Sequence, residues 1–151
     1  MRLISQSLLF CSTAIGLSLV LAAPIYAQSE ATAALENTSW QLLEIRSANG
    51  FVQTPENSED YLFRFRLNNR AEIQAHCNAA GATWQLDGDS LSITDLVTTR
   101  KLCLPPSLFN FYIMHLGNVQ SINVDEERLI LTTGPVAVEL EFEPYIYRPQ
   151  F

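Results

Sequence analysis

Basic residues are scarce in this chain, with 9 Lys+Arg against 16 Asp+Glu in 151 residues and a formal net charge of −7. A nucleic-acid binder needs a basic face to neutralise phosphates, so the balance argues against that class, and equally against docking on an anionic membrane surface. Histidine is limited to His76 and His115, with no Cys-x-x-Cys and no His-x-x-x-His spacing. A zinc site would have to gather its ligands from distant positions, and no metal is expected. There is no Gly-x-x-x-x-Gly-Lys phosphate loop and no Gly-x-Ser-x-Gly nucleophile elbow. Nothing resembles a collagen repeat, a coiled coil or low-complexity disorder. The length suits one domain that can bury a core without a metal or a dense disulfide framework. No catalytic residue and no cofactor-binding residue is expected.

What the chain does have begins at its N-terminus. Met1-Arg2 supplies a short positive start, Leu8 to Leu21 is an almost uninterrupted apolar run, and Pro24 reads as a helix breaker. Ile25-Tyr26-Ala27 then offers a small residue before the polar Gln28-Ser29-Glu30. This is the pattern of a secretory signal peptide over residues 1–27, cleaved between Ala27 and Gln28. An uncleaved membrane anchor is the rival reading, since the run approaches spanning length, but Pro24 and the polar segment fit a processing site better. Cys11 follows bulky Phe10 with apolar sequence continuing beyond it, which suits an ordinary apolar-region residue rather than a lipidation site. The expected location is periplasmic or secreted, with no membrane attachment after cleavage.

Export leaves two cysteines, Cys77 and Cys103, and only one pairing. In an oxidising compartment a structural disulfide is expected. It would close a loop of about 26 residues, worth roughly 3.5 kcal/mol on chain-entropy grounds. A catalytic thiol would need a lowered pKa and a nearby base. His76 adjoins Cys77, but small and apolar residues fall at 71, 73, 75 and 77 and polar ones at 70, 72, 74 and 76. On a half-buried strand over 70–77, Cys77 faces the core and His76 faces solvent or a neighbouring loop, which disfavours a dyad.

Most of the remaining chain reads as β. Residues 28–37 are Ala/Glu-rich and are expected to form a flexible leader, and 145–151 a C-terminal tail. Between them, 38–144 forms the domain. Trp40–Arg46 gives a first strand before an Asn49-Gly50 turn, and 54–60 is a loop. Tyr61, Phe63, Phe65 and Leu67 alternate with Leu62, Arg64 and Arg66, and Asn68-Asn69 turns that strand into the next. After Asn78-Ala79-Ala80-Gly81, Thr83–Leu86 and Ser90–Thr94 form a hairpin around Asp87-Gly88-Asp89. Val97–Cys103 reads as extended, and Ile122 and Val124 end another strand. Leu129–Thr132 and Val136–Phe142 form a last hairpin through Gly134-Pro135. One segment departs from period 2: Leu108–Leu116 follows Pro105-Pro106 and precedes Gly117, with Phe109, Tyr112, Ile113 and Leu116 on one helical face. Being apolar nearly all round, this helix should be well covered, its aromatics serving the core. These elements imply a mainly β (α+β) fold: a curled antiparallel sheet or cracked β-barrel of about eight strands with one inserted helix.

Trp40-Gln41-Leu42, Tyr61-Leu62-Phe63-Arg64-Phe65, Cys77-Asn78 with Gly81 and Trp84, and Leu86 to Ile93 together resemble the META/HslJ-like domain family. The resemblance continues through Thr99-Arg100-Lys101-Leu102-Cys103, Phe111, Leu129-Ile130-Leu131 and Leu140-Glu141-Phe142, covering about 38–143. The Cys-Asn and Thr-x-x-x-Cys pair is its most specific part. His76 stands where the family usually has glycine, which tolerates backbone shapes that histidine does not, and Trp84 where a tyrosine is common. The resemblance implies a small exported or envelope domain, β-rich with one helix, linked in the family to stress tolerance and secretion. It brings no agreed catalytic site or cofactor to carry over.

The remaining polar clusters are read as structure. Asp87-Gly88-Asp89 and Asp125-Glu126-Glu127 lack the ligand pattern of a calcium loop and suit solvated hairpin turns. His115 lies among apolar neighbours, where a hydrogen-bonded structural histidine is expected. Asn37-Thr38-Ser39 matches a glycosylation acceptor that matters only in a eukaryotic secretory pathway. Three functions are compatible with these features, in order of weight: a non-enzymatic module binding an envelope or extracellular protein, in stress response or as an inhibitor of an incoming hydrolase; a carrier of a small apolar ligand in the barrel interior; and a hydrolase with no visible motif. A monomer is expected. An exposed aromatic patch favours the first, an unfilled interior lined by Phe63, Phe65 and Trp84 the second, and a polar cleft with perturbed carboxylates the third.

Overall fold

A computed structural model describes residues 24–134 and 136–146 of the chain. The expected signal peptide therefore lies largely outside the described residues, as does most of the C-terminal tail. The elements are α1 (Pro24–Leu35), β1 (Ser39–Ser47), β2 (Val52–Gln53), a 3₁₀ turn (Ser58–Asp60), β3 (Tyr61–Arg66), β4 (Arg70–Ala75) and β5 (Asn78–Asp87). They continue with β6 (Ser90–Thr98), α2 (Phe109–Leu116), β7 (Val119–Val124), β8 (Leu129–Thr133) and β9 (Val138–Pro144). The strands form one antiparallel sheet in the order β2-β1-β3-β4-β5-β6-β7-β8-β9, and β1 also pairs with β9. That pairing closes an eight-stranded barrel, leaving β2 as a short outer strand on β1. The expected fold class is the one found.

Closure is uneven. Seven residue pairs join β1 to β9, running from Trp40↔Pro144 to Ser47↔Val138. The β6–β7 seam has a single registered pair, Ser90↔Ser121, extended by Ile122 N–H donating to Asp89 O at 3.0 Å and by Ser90 Oγ donating to Gln120 O at 3.4 Å. Beyond that point the two strands part, and the connection through α2 occupies the space, with Leu96 of β6 beside Gly117 at the helix end. Closing the remaining edges removes the free ladder that would otherwise template aggregation.

The interior is full. Phe63 and Phe65 meet edge-on at 4.8 Å, and Phe65 meets Trp84 edge-on at 5.2 Å. All three are fully buried, together with Tyr112, Phe142, Leu42, Ile45, Leu91, Leu116, Leu129, Leu131 and Leu140. Each such aliphatic or Phe side chain contributes roughly 1.5–3 kcal/mol relative to exposure. Trp84 satisfies its buried indole by donating to Arg70 O at 3.0 Å.

Several details differ from the expectation. The stretch read as a flexible leader is helical, and Leu35 at the end of α1 is buried in the core. Pro24 is the first described residue of this helix. Asn37, at φ 63°, ends it in the left-handed conformation that asparagine tolerates, and Thr38 Oγ1 caps Leu35 O at 2.6 Å. The strand expected over 70–77 stops at Ala75, which pairs with Asn78. His76 and Cys77 form the two-residue turn between β4 and β5, with His76 at φ 57° in a left-handed conformation that glycine would adopt more easily. Cys77 is consequently exposed and does not face the core. Asn78–Gly81, which preceded the strand expected at Thr83, opens β5, and β9 starts at Val138, leaving Val136 exposed. The strand ending in Leu67 is shorter too: Asn68 and Asn69, both at φ 58°, make the turn and leave Leu67 exposed. β6 ends at Thr98, so 99–104 is a loop rather than a strand. Helix α2 matches its expected span and glycine stop, yet only Tyr112 and Leu116 are buried and Met114 is half exposed.

Candidate functional site

The antiparallel register puts the β4–β5 turn, the end of β6 and the start of α2 at one end of the barrel. Here Cys77 and Cys103 form a disulfide with Cα atoms 5.5 Å apart, a separation the bridge accommodates. It ties the β4–β5 turn to the loop entering α2. Both sulfurs are engaged, so neither is a nucleophile.

Asn78, next in sequence and buried, organises that loop. Its Oδ1 accepts from the Lys101 backbone N–H at 2.7 Å and from the Thr99 hydroxyl at 2.8 Å. Its Nδ2 donates to Lys101 O at 3.0 Å and lies 3.2 Å from Cys103 Sγ. Thr99 extends β5–β6 pairing beyond the strand, its N–H donating to Ala79 O at 2.9 Å and its Oγ1 accepting from Ala79 N–H at 3.1 Å. A buried amide with both ends used costs nothing in unmade hydrogen bonds and holds one loop geometry.

His76 does meet a neighbouring loop. Its ring stacks on Tyr61 at 5.9 Å and its Nδ1 lies 3.0 Å from Ser107 Oγ. Tyr61 in turn accepts the Leu108 N–H on its hydroxyl at 2.8 Å, and Ser107 Oγ accepts the Phe109 N–H at 3.3 Å. Two donors at the start of α2 are thereby satisfied. His115 is different from its expectation: its Nε2 is buried without a hydrogen-bond partner among the described residues, and its ring stands edge-on to Phe111 at 4.3 Å. Burial holds its pKa below the ordinary histidine value. Tyr112 Oη is likewise unpartnered, and burial raises its pKa well above the usual tyrosine range. Tyr112 stands edge-on to Tyr61 at 5.5 Å, and Arg64 partly offsets the effect of its burial.

The loop apex at this end is apolar and basic. Leu102 is 98% exposed and Leu104 80% exposed, with Val97 and Met114 nearby in sequence elements that border the loop. Arg100 and Lys101 are exposed beside them and form no ion pair among the described residues. A groove of about 740 Å³ runs between this loop and α2, lined by Arg100, Leu102, Pro105, Phe109, Ile113 and Met114 among others.

At the opposite end, α1 leads into β1 and a wider groove of about 1080 Å³ lies between Ala31, Leu35, Trp40, Leu86, Ile122 and Tyr145. Asp89, Asp125 and Glu126 rim it. Among the described residues no group of three His, Cys, Asp or Glu side chains gathers to hold a metal, and no helix is long and apolar enough to cross a membrane.

Cys77 and Cys103 are thus brought together, while Ala27 and Gln28 fall within α1, away from them. Asn78, Thr99 and Lys101 were visible in sequence only as parts of a motif. Nothing in the composition signalled that Leu102 and Leu104 would be outside, since a leucine pair beside a cysteine reads equally well as core.

The META domain family model matches residues 33–143. No curated protein matches the chain. Among solved structures, an NMR structure of a protein from Burkholderia xenovorans superposes with a TM-score of 0.68 at 19% identity, covering 91% of this chain and 100% of that one. A crystal structure of a DUF4847 family protein from Bacteroides vulgatus gives a TM-score of 0.56 at 15% identity, covering 75% of this chain and 96% of that one. At these identities the likeness is one of fold.

Proposed function

The chain belongs to the META domain family, and from that premise we propose that it acts as an exported, monomeric, non-enzymatic module that binds another protein outside the cytoplasm. Export rests on the N-terminal pattern ending at Ala27 and is compatible with a disulfide, which persists in oxidising compartments. A role in envelope stress is the family-level reading of the same features.

The observation that carries the binding role is the apolar loop apex at the disulfide end. Two leucines almost wholly in solvent, on a loop fastened at both sides, lose little conformational freedom when a partner covers them. Interfaces of stable complexes are built around such buried apolar anchors. The test is site-specific photo-crosslinking in the exporting cell, with the crosslinker at Leu102 and, as control, at Glu59. Discrete protein adducts at Leu102 alone, lost in Leu104→Asp, are expected; their absence overturns the reading.

A small apolar ligand remains a second reading, supported by the groove beside α1 rather than by the barrel interior. The rings of Phe63, Phe65 and Trp84, which would have lined an interior cavity, pack against one another instead. The groove's volume is of the size that ligand sites use.

A further inference from the structure

We infer that Arg100–Leu104 is a substrate-like inhibitory loop for an extracellular serine endopeptidase with an apolar primary pocket. Leu102 would fill that pocket and present the Leu102–Cys103 peptide bond to the nucleophile. The inference rests on the protein-binding reading and names its partner class.

Every side chain from Arg100 to Leu104 except that of Cys103 is exposed. Leu102 and Leu104 stand in solvent while Cys103 between them turns inward to its disulfide. A groove of about 740 Å³ separates the loop from α2, and Leu102 at its apex is 98% exposed. Leu102, Cys103 and Leu104 make no main-chain hydrogen bonds among the described residues, which leaves their N–H and C=O groups for a cleft to pair with. Lys101 has the opposite arrangement: both its N–H and its C=O are committed inward to Asn78 at 2.7 and 3.0 Å. The loop is thereby held from behind and open in front.

The same atoms decide the outcome of nucleophilic attack. A protease hydroxyl adding to the Leu102 carbonyl forms a C–O bond, breaks the Leu102–Cys103 C–N bond, and its proton passes to the departing Cys103 amine. In an ordinary substrate that amine diffuses away and water completes hydrolysis. Here Cys103 stays tethered through its disulfide to Cys77, and Asn78 Nδ2 touches both sides of the break, at Lys101 O and 3.2 Å from Cys103 Sγ. A reactant held in place has an effective molarity of up to about 10⁵–10⁸ M, far above that of water, so the reverse reaction restores the peptide faster than hydrolysis removes it. A loop already shaped for the cleft also loses little entropy on binding, the condition under which interfaces of modest area bind tightly. A lipid surface is the poorer occupant: two leucines and two cations on one apex face a chain whose net charge is −7.

The test uses the purified exported protein with chymotrypsin and subtilisin as probes of apolar primary pockets and trypsin as control. Near-equimolar loss of chymotrypsin or subtilisin activity is expected, with trypsin unaffected and the Leu102–Cys103 bond surviving prolonged incubation. Leu102→Lys, an exposed substitution, should move inhibition to trypsin. Asn78→Ala, with retained fold checked by near-ultraviolet circular dichroism, should convert the loop into a substrate cut at least tenfold faster. Failure to inhibit either apolar-pocket enzyme, cleavage at the same rate with and without Asn78, or no transfer of inhibition by Leu102→Lys overturns the inference. So does loop-dependent binding to phosphatidylglycerol vesicles without protease inhibition. If Leu102 still crosslinks to a protein that is not a protease, this inference falls and the binding reading stands; if it crosslinks to none, both fall.

Discussion

Where β4 turns into β5, the barrel end is fastened by polar and covalent links: the Cys77–Cys103 bridge, the Asn78 amide on Lys101, and the Tyr61 hydroxyl on the first turn of α2. At the other end, where α1 enters β1, the cover is apolar, with Leu35 inserted into the core and a wide groove left between the helix and the β5–β6 and β7–β8 turns. The difference reflects what each end must hold. A loop without strand partners cannot bury enough apolar area to fix itself, so its geometry depends on directional bonds. A helix with one leucine on the core needs only area, and it tolerates a loose fit around that contact. The fastened end displays leucines, and the apolar end hides one.

Removing the bridge should break this contrast most strongly. Cys77→Ala with Cys103→Ala is expected to cost about 3.5 kcal/mol and to lower Tm by on the order of 10 °C in thermal unfolding, because the 26-residue separation between them is then free in the unfolded chain. A Tm unchanged by the double substitution would mean that the polar links alone fix that end. Leu35→Ala probes the opposite end and should cost about 2 kcal/mol, through lost burial and a rim cavity. An unaltered denaturation midpoint in urea would show that α1 contributes no stability.

The smallest effect concerns pH and separates the two ends by titration. His115 on α2 has a folded-state pKa below its unfolded value because burial disfavours the cation. The unfolded chain therefore takes up the proton first. Stability is fully present above about pH 6.5 and falls as pH drops from there through the lowered folded pKa, reaching its floor below it. A shallow decline of Tm over that range is expected, absent in His115→Gln; a decline that persists in the variant assigns it to another group.

The residues that the strand pattern placed correctly share a property: their environment repeats along the sequence. Phe63 and Phe65 face inward because side chains alternate in a strand, and Leu140 and Phe142 do the same in β9. The Pro105-Pro106 and Gly117 punctuation bounded α2 for equally local reasons. The pattern failed where the chain changes partner. At Cys77 period-2 alternation pointed inward, but a left-handed His76 had already reversed the chain, and parity has no meaning across a turn. Segment 28–37 looked unstructured because its composition is Ala/Glu-rich, and only contact with the finished core gives Leu35 a place to pack.

By itself, then, the sequence determined the β-rich class, the single inserted helix and the one cysteine pairing possible within the domain, all of which depend on local periodicity or on counting. Tertiary structure alone decided that β1 would close on β9, that the aromatic interior would be filled, and that Asn78 would reach 23 residues ahead to hold Lys101. It also decided that Leu102 would stand outside. The physical reason is that burial belongs to a side chain's surroundings, and the surroundings of a loop are supplied by strands far from it in the chain.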